Sequence, residues 1–235
     1  MIPIALHEKA VQNTFYKIQK EGLKNIAVTS ARRHEGVSAF SYALARRAAT
    51  AGVNVLLIDL NFMNPGQSEA LALEYHDWSP AMQIEQTSIQ NISDTNLAVL
   101  SAPEKVKDTW PFQNRDHVRQ MLDRLNDQYD LVIADMPSIL EPENDLQVEI
   151  VCAAFDAGVV MALSGKAVET EMMKVKDMLD EVEVKILGAV INDQFTPTLA
   201  EELKRQFDKL SDRFPRITTF VSRQINESAF LNQSL

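Results

Sequence analysis

The sequence predicts an α/β domain: a doubly wound, mostly parallel sheet with helices on both faces. Three observations point there. Short apolar runs recur along the 235 residues, at 26–28, 53–58, 97–100, 131–134, 158–163, 186–191 and 217–221. Segments with helical spacing, about 10 to 15 residues long, alternate with many of these runs, which is the pattern of βαβ units. Asp59 and Asp135 stand at the ends of two of the runs, where open α/β sheets place their ligand-binding loops.

The N-terminal segment, 1–22, reads as a helix over 6–21, with Leu6, Ala10, Phe15 and Ile18 partly on one face. Residues 25–65 form the unit around which the chain is organised. Ile26 to Val28 is apolar and β-branched, the mark of a buried strand. Residues 39–51 are rich in Ala, Leu and Arg, and Phe40, Ala43, Leu44 and Ala48 are spaced for one helical face. Gly52 stops that helix, because it tolerates positive φ. Val53 to Ile58 is the second strand, and Asp59 ends it.

Beyond this unit, residues 66–95 are irregular, with a weak helical signal at 68–74 and a turn at Asp77-Trp78-Ser79-Pro80 before a short helix. A strand follows at 97–100, and Trp110-Pro111-Phe112 anchors a loop. The helix over 115–128 turns Val118, Met121, Leu122 and Leu125 to the sheet. A strand then ends at Asp135, a helix covers 146–155, and a strand covers 158–163. A charged amphipathic helix spans 167–181, a strand 186–191, a helix 198–210 and a last strand 217–221.

Bulk properties narrow the function. The length suits one domain over 1–235. The net charge of −10 and pI near 4.9 oppose direct binding to nucleic acid or to anionic lipid. The single cysteine, Cys152, excludes an internal disulfide and reads as a small core residue. No run approaches the roughly 18 apolar residues of a membrane span, and the start carries no basic leader, so the expected location is cytoplasmic. The four histidines are scattered, without metal-ligand spacing or a nucleophile triad.

Residues 31–38 read A-R-R-H-E-G-V-S. Set on the phosphate-loop pattern G-x-x-x-x-G-K-[ST], Gly36 and Ser38 match, Ala31 replaces the first glycine, and Val37 stands in the lysine place. Around it, Thr29-Ser30, Glu35-Gly36, Leu56-Leu57-Ile58-Asp59, Asn64-Pro65 and Tyr129-Asp130-Leu131-Val132-Ile133-Ala134-Asp135-Met136-Pro137 fall in one order and spacing. This arrangement resembles the ParA/MinD superfamily of P-loop ATPases, and most nearly the cytoplasmic tyrosine kinase domains of bacterial exopolysaccharide assembly. Those read roughly TSxxPGEGKS, LLIDADLRxP and YDxVIIDTPP. The resemblance runs from about residue 14 to 225.

The resemblance implies a nucleotide site. Arg32, Arg33, Glu35, Gly36 and Ser38 would form its loop, and Asn192 would contact adenine. Ser38, Asp59 and Asp135 would hold Mg²⁺, with Asp59 and Asp135 the vestigial catalytic carboxylates. Arg32 lies where MinD-type proteins carry an extra lysine that reaches a partner's nucleotide. Arg32, Arg33, Arg46 and Arg47 read either as a solvated basic face or as a surviving anion site. Strand-end aspartates are also frequent caps.

Loss of the phosphate-bridging lysine removes transition-state stabilisation of several kcal/mol, so little or no phosphoryl transfer is expected. No cofactor is then required, although weak Mg-ATP or Mg-ADP binding stays open. In the kinases a C-terminal tyrosine cluster is phosphorylated, whereas here the four tyrosines are Tyr16, Tyr42, Tyr75 and Tyr129. The family's E-x-x-R-x-x-R ring motif is matched only by Thr14-Phe15-Tyr16-Lys17-Ile18-Gln19-Lys20, with the acid missing and lysines for arginines.

The leading reading is a catalytically impaired relative acting as a cytoplasmic scaffolding or regulatory subunit in exopolysaccharide synthesis or export. Its partners would be proteins, including a membrane-embedded assembly or secretion component that recruits it to the inner face of the membrane, or a second copy in a homodimer. One alternative is an active ATPase or tyrosine kinase that uses a non-standard basic residue. Another is a ParA-like positioning protein. Surfaces around Phe15 and Ile18, and around Phe62, Trp78 and Trp110, are the candidates for self-association.

Overall fold

A computed structural model describes residues 8–82, 84, 88–106, 108–141, 146–164 and 168–193. The chain divides into two units, 1–192 and 193–235, and apart from Asp193 everything described lies in the first. The helix expected over 198–210 and the strand expected over 217–221 lie outside the described residues.

Seven strands form one sheet: β1 (Asn25–Ser30), β2 (Val55–Asp59), β3 (Ile89–Asn91), β4 (Leu97–Leu100), β5 (Leu131–Asp135), β6 (Ala157–Leu163) and β7 (Ile186–Asn192), in the order β3-β4-β2-β5-β1-β6-β7. All pairings are parallel except β3 with β4. The α/β, mostly parallel fold expected from the sequence is the one found. The helices are α1 (Lys9–Glu21), α2 (Val37–Thr50), α3 (Gly66–Ala70), α4 (Trp110–Gln113), α5 (Arg115–Leu125), α6 (Val148–Cys152) and α7 (Glu169–Glu181).

Strand side chains alternate between two apolar layers. Ile26, Val28, Leu57 and Ile133 pack with Val11, Phe15 and Ile18 of α1 and with Phe40, Leu44 and Ala48 of α2. Ala27, Leu56, Ile58 and Ala134 pack with Val118, Met121 and Leu122 of α5 and with Val175 and Leu179 of α7. The central strands β1, β2 and β5 are buried along their whole length. This double burial is why they read as unbroken apolar runs and not as alternating ones.

Some boundaries move. The helix expected over 146–155 is one turn, Val148–Cys152. The segment 66–95, expected to be irregular, holds α3 and the antiparallel edge strand β3. Residues 79–82 form a turn, and the short helix expected after it falls largely outside the described residues. Trp110 to Gln113 is a short helix whose Phe112 is buried between Phe62 and Trp78, with ring centroids at 4.7 and 5.6 Å. Cys152 is fully buried as expected, and burial pushes its thiol up to about 12.

Candidate functional site

β1 delivers the chain into the loop 31–36, and α2 begins at Val37. Gly36 sits at φ 98°, a left-handed value that favours glycine. A Cβ placed there would lie 2.5 Å from Nδ2 of Asn192. That amide donates to the Glu35 carbonyl at 3.1 Å, so Asn192 buttresses the loop from the end of β7.

The loop's amide groups point at carboxylates of the same chain. The Arg32 N–H donates to Oε2 of Glu35 at 3.1 Å. The Arg33 N–H donates to Oε1 of Glu141 at 3.1 Å. The guanidinium of Arg32 donates through Nε and Nη2 to Oε1 of Glu171 on α7, at 3.1 and 2.8 Å, and through Nη1 to the Leu140 carbonyl at 3.0 Å. Arg33 Nε lies 3.8 Å from Oε2 of Glu141. Arg46 and Arg47 do not join this group. Arg46 lies over the ring of Tyr42, and Arg47 lies over Phe15 and donates to Gln12.

Asp59 and Asp135 end adjacent parallel strands and are register partners, both fully buried. Asp59 is saturated with donors. Its Oδ1 accepts from Asn61 N–H, and its Oδ2 accepts from the Gln67 and Ser68 N–H groups and the Ser68 hydroxyl, each at 3.0 to 3.1 Å. Two of those N–H groups open α3, so Asp59 caps the exposed donors of that helix. Gln67, also fully buried, extends its amide to Oδ2 of Asp135 at 2.9 Å and to the Ser38 carbonyl at 2.6 Å. Oδ1 of Asp135 and Oε1 of Gln67 are buried without a hydrogen-bond partner.

Burial raises the Asp59 carboxyl above the ordinary carboxylate range, against the donors from Ser68, Asn61 and Gln67. Asp135 is raised further, first by burial and then by the neighbouring charge of Asp59, with Ser38 and Gln67 drawing it back. Two carboxylates this close and this dry do not both ionise readily.

The site therefore consists of a βα loop with a positive-φ glycine, a helix N-terminus, and a carboxylate pair at the ends of β2 and β5. The fold that carries it is shared with known proteins. The kinase domain of the Escherichia coli tyrosine kinase ETK superposes with a TM-score of 0.68 at 20% identity, covering 82% of this chain and 81% of that one. The septum site-determining protein MinD of Pyrococcus horikoshii OT3, in complex with Mg-ADP, gives 0.60 at 16% identity, covering 74% and 72%. The fold is that of the ParA/MinD group of P-loop ATPases. Sequence similarity extends to the bacterial tyrosine-protein kinases. YwqD of Bacillus subtilis (strain 168) is 27% identical over 174 residues, 72% of each chain. No family model matches.

In this domain, Arg32, Arg33, Glu35, Gly36, Ser38, Asp59, Asp135 and Asn192 gather at the carboxyl ends of the strands. Ser38 is so close to α3 that a Cβ on Gly66 would lie 2.6 Å from its hydroxyl. Three further residues belong to the site: Gln67, Glu141 and Glu171. Gln67 stands three residues past Asn64, and Glu141 follows the Asp135-Met136-Pro137 run, so both had a sequence cue. Glu171 is one acid among many on α7 and reaches the loop only through tertiary packing. Among the described residues, no group of three or more His, Cys, Asp or Glu is placed to hold a metal ion, and no helix is long and apolar enough to cross a membrane.

Proposed function

We propose that this chain, as one P-loop-type domain over 1–235, is a catalytically impaired relative of the polysaccharide tyrosine kinases. It serves as a cytoplasmic scaffolding or regulatory subunit in exopolysaccharide synthesis or export. It partners a membrane-embedded assembly component at the inner face of the membrane.

One observation carries the reading. Where a phosphate would take the loop's N–H groups and a lysine would bridge it, Val37 supplies no charge, and the Arg32 and Arg33 N–H groups already donate to Glu35 and Glu141. A phosphate brought to those donors meets carboxylates in its place. The crevice below is also filled, since the Gln67 amide bridges Ser38 and Asp135 and Asp59 caps α3. The residues present do not suit an Mg²⁺-nucleotide, and no step of phosphoryl transfer is assigned to them.

The rival reading is an active ATPase or kinase in which Arg32 or Arg33 replaces the lysine. It requires Arg32 to leave both Glu171 and the Leu140 carbonyl, or the Arg33 guanidinium to leave Glu141. Titration calorimetry with Mg-ATP, together with a phosphate-release assay, separates the two. Affinity weaker than about 100 μM without turnover supports the impaired reading. Micromolar binding with turnover that an Arg32→Ala variant abolishes would replace it with the kinase reading.

A further inference from the structure

Three acids from three parts of the chain converge on one loop. Glu35 belongs to the loop itself, Glu141 follows β5, and Glu171 lies in the first turn of α7. Glu35 is buried and cannot leave without unmaking the loop. Glu141 and Glu171 approach from outside, with side chains 16% and 27% exposed, and can be displaced without disturbing the core.

Their chemistry is that of the ligand the loop is shaped for. Backbone N–H groups in a turn, an α2 N-terminus and two guanidinium groups favour an oxyanion. Glu141 supplies one oxygen to the Arg33 N–H and holds the other 3.8 Å from Arg33 Nε. Glu171 takes two guanidinium N–H groups of Arg32 on a single oxygen. The chain has thus brought its own carboxylates to donors that an external phosphate would use. Each also opposes an incoming anion by like charge.

We propose that Glu141 and Glu171 are resident competitors for the phosphate loop. A phosphate-class anion enters only when they leave, and α7 carries the latch through Glu171. This rests on the reading above, in which the native loop binds nucleotide weakly, and it names how that weakness is maintained. Val37 alone does not set it.

The test compares the whole chain with E141Q/E171Q and with E169Q/E181Q. The control changes net charge equally, with both substitutions on α7. Glutamine keeps the shape and an acceptor oxygen but removes the charge. Binding of Mg-ATP and of inorganic tripolyphosphate is measured by calorimetry, and thermal unfolding checks that each variant is folded. Partly exposed ion pairs are individually weak, so E141Q/E171Q is expected to bind both probes about tenfold more tightly than the parent, with the control unchanged. Equal affinity of E141Q/E171Q and the control would overturn the latch while leaving the impaired reading intact. Micromolar binding by the parent would overturn the impaired reading, and the ratio between the variants would still decide the latch. Should E141Q/E171Q unfold, E171Q alone is expected to give a smaller gain in the same direction, and no gain would count against the latch.

Discussion

Asp59 and Asp135 are register partners on neighbouring parallel strands, and both are fully buried. Asp59 has a full set of donors, whereas Asp135 has one oxygen on Gln67 and one with no partner. The pair is therefore asymmetric, and the proton belongs more firmly to Asp135.

That asymmetry gives a pH dependence with a definite sign. Burial and the charge of Asp59 raise the folded value of Asp135 above its unfolded one. The folded state then holds a proton that the unfolded state releases near pH 3.9. Stability from this group is fully present below the ordinary carboxylate range and falls as pH rises through the raised folded value. Asp135→Asn removes the titration. Relative to the parent, the variant is expected to gain stability from about pH 5 to about pH 8, as read by chemical unfolding across that range. A difference that stays constant with pH would show that Asp135 is ionised throughout.

Gln67 is the neutral bridge of the crevice. Its amide reaches the Ser38 carbonyl and Asp135, and its own N–H reaches Asp59, with no part of the side chain exposed. Gln67→Ala leaves buried acceptors unpaired and a cavity beside them. The cost is expected to be about 2–4 kcal/mol, measured by denaturant unfolding. Gln67→Glu adds a third acid to a raised pair and is expected to be less stable than Gln67→Ala at neutral pH and closer to it in acid.

Gly36 is constrained twice, by φ 98° and by the Asn192 amide standing where a Cβ would go. Gly36→Ala is expected to cost about 1–3 kcal/mol. Asn192→Ala in the same chain relieves the clash but not the backbone strain. A double-mutant cycle should therefore show partial recovery, and simple additivity would mean that the two residues do not meet.

The sheet was legible because its central strands are buried on both faces, which leaves unbroken apolar runs at 26–28, 55–58 and 131–134. The edge strand β3 was not, because Ile89-Gln90-Asn91 is short, half-buried and antiparallel, with no apolar run to announce it. The carboxylate pair could be read from strand ends alone. Glu171 could not, since its hydrogen bonds to Arg32 span 139 residues of sequence. The sequence also marked the surfaces around Phe15 and Ile18, and around Phe62, Trp78 and Trp110, as candidates for contact. Yet Phe15, Ile18 and Trp78 are core residues, at 4%, 2% and 5% exposure, while Trp110 is exposed. Amphipathic spacing identifies an apolar face but does not say whether the sheet or a partner covers it.

That correction narrows how the protein could self-associate. The large apolar side chains left exposed include Tyr16 on α1, Met63 beside the loop after β2, and Trp110 on α4, at 64%, 64% and 58%. A specific interface needs about 1,000 Å² or more, and such side chains are its natural anchors. An association built on them owes nothing to a bound triphosphate. Under the impaired reading, light scattering after size exclusion is expected to return one oligomeric state with and without Mg-ATP. A Trp110→Ala or Tyr16→Ala variant is expected to weaken any dimer present, because truncating an aromatic anchor typically costs about 2 kcal/mol or more. A monomer that pairs only when Mg-ATP is added, and fails to do so in Arg32→Ala, would instead mean that the loop accepts a triphosphate and that nucleotide, not apolar surface, joins the subunits.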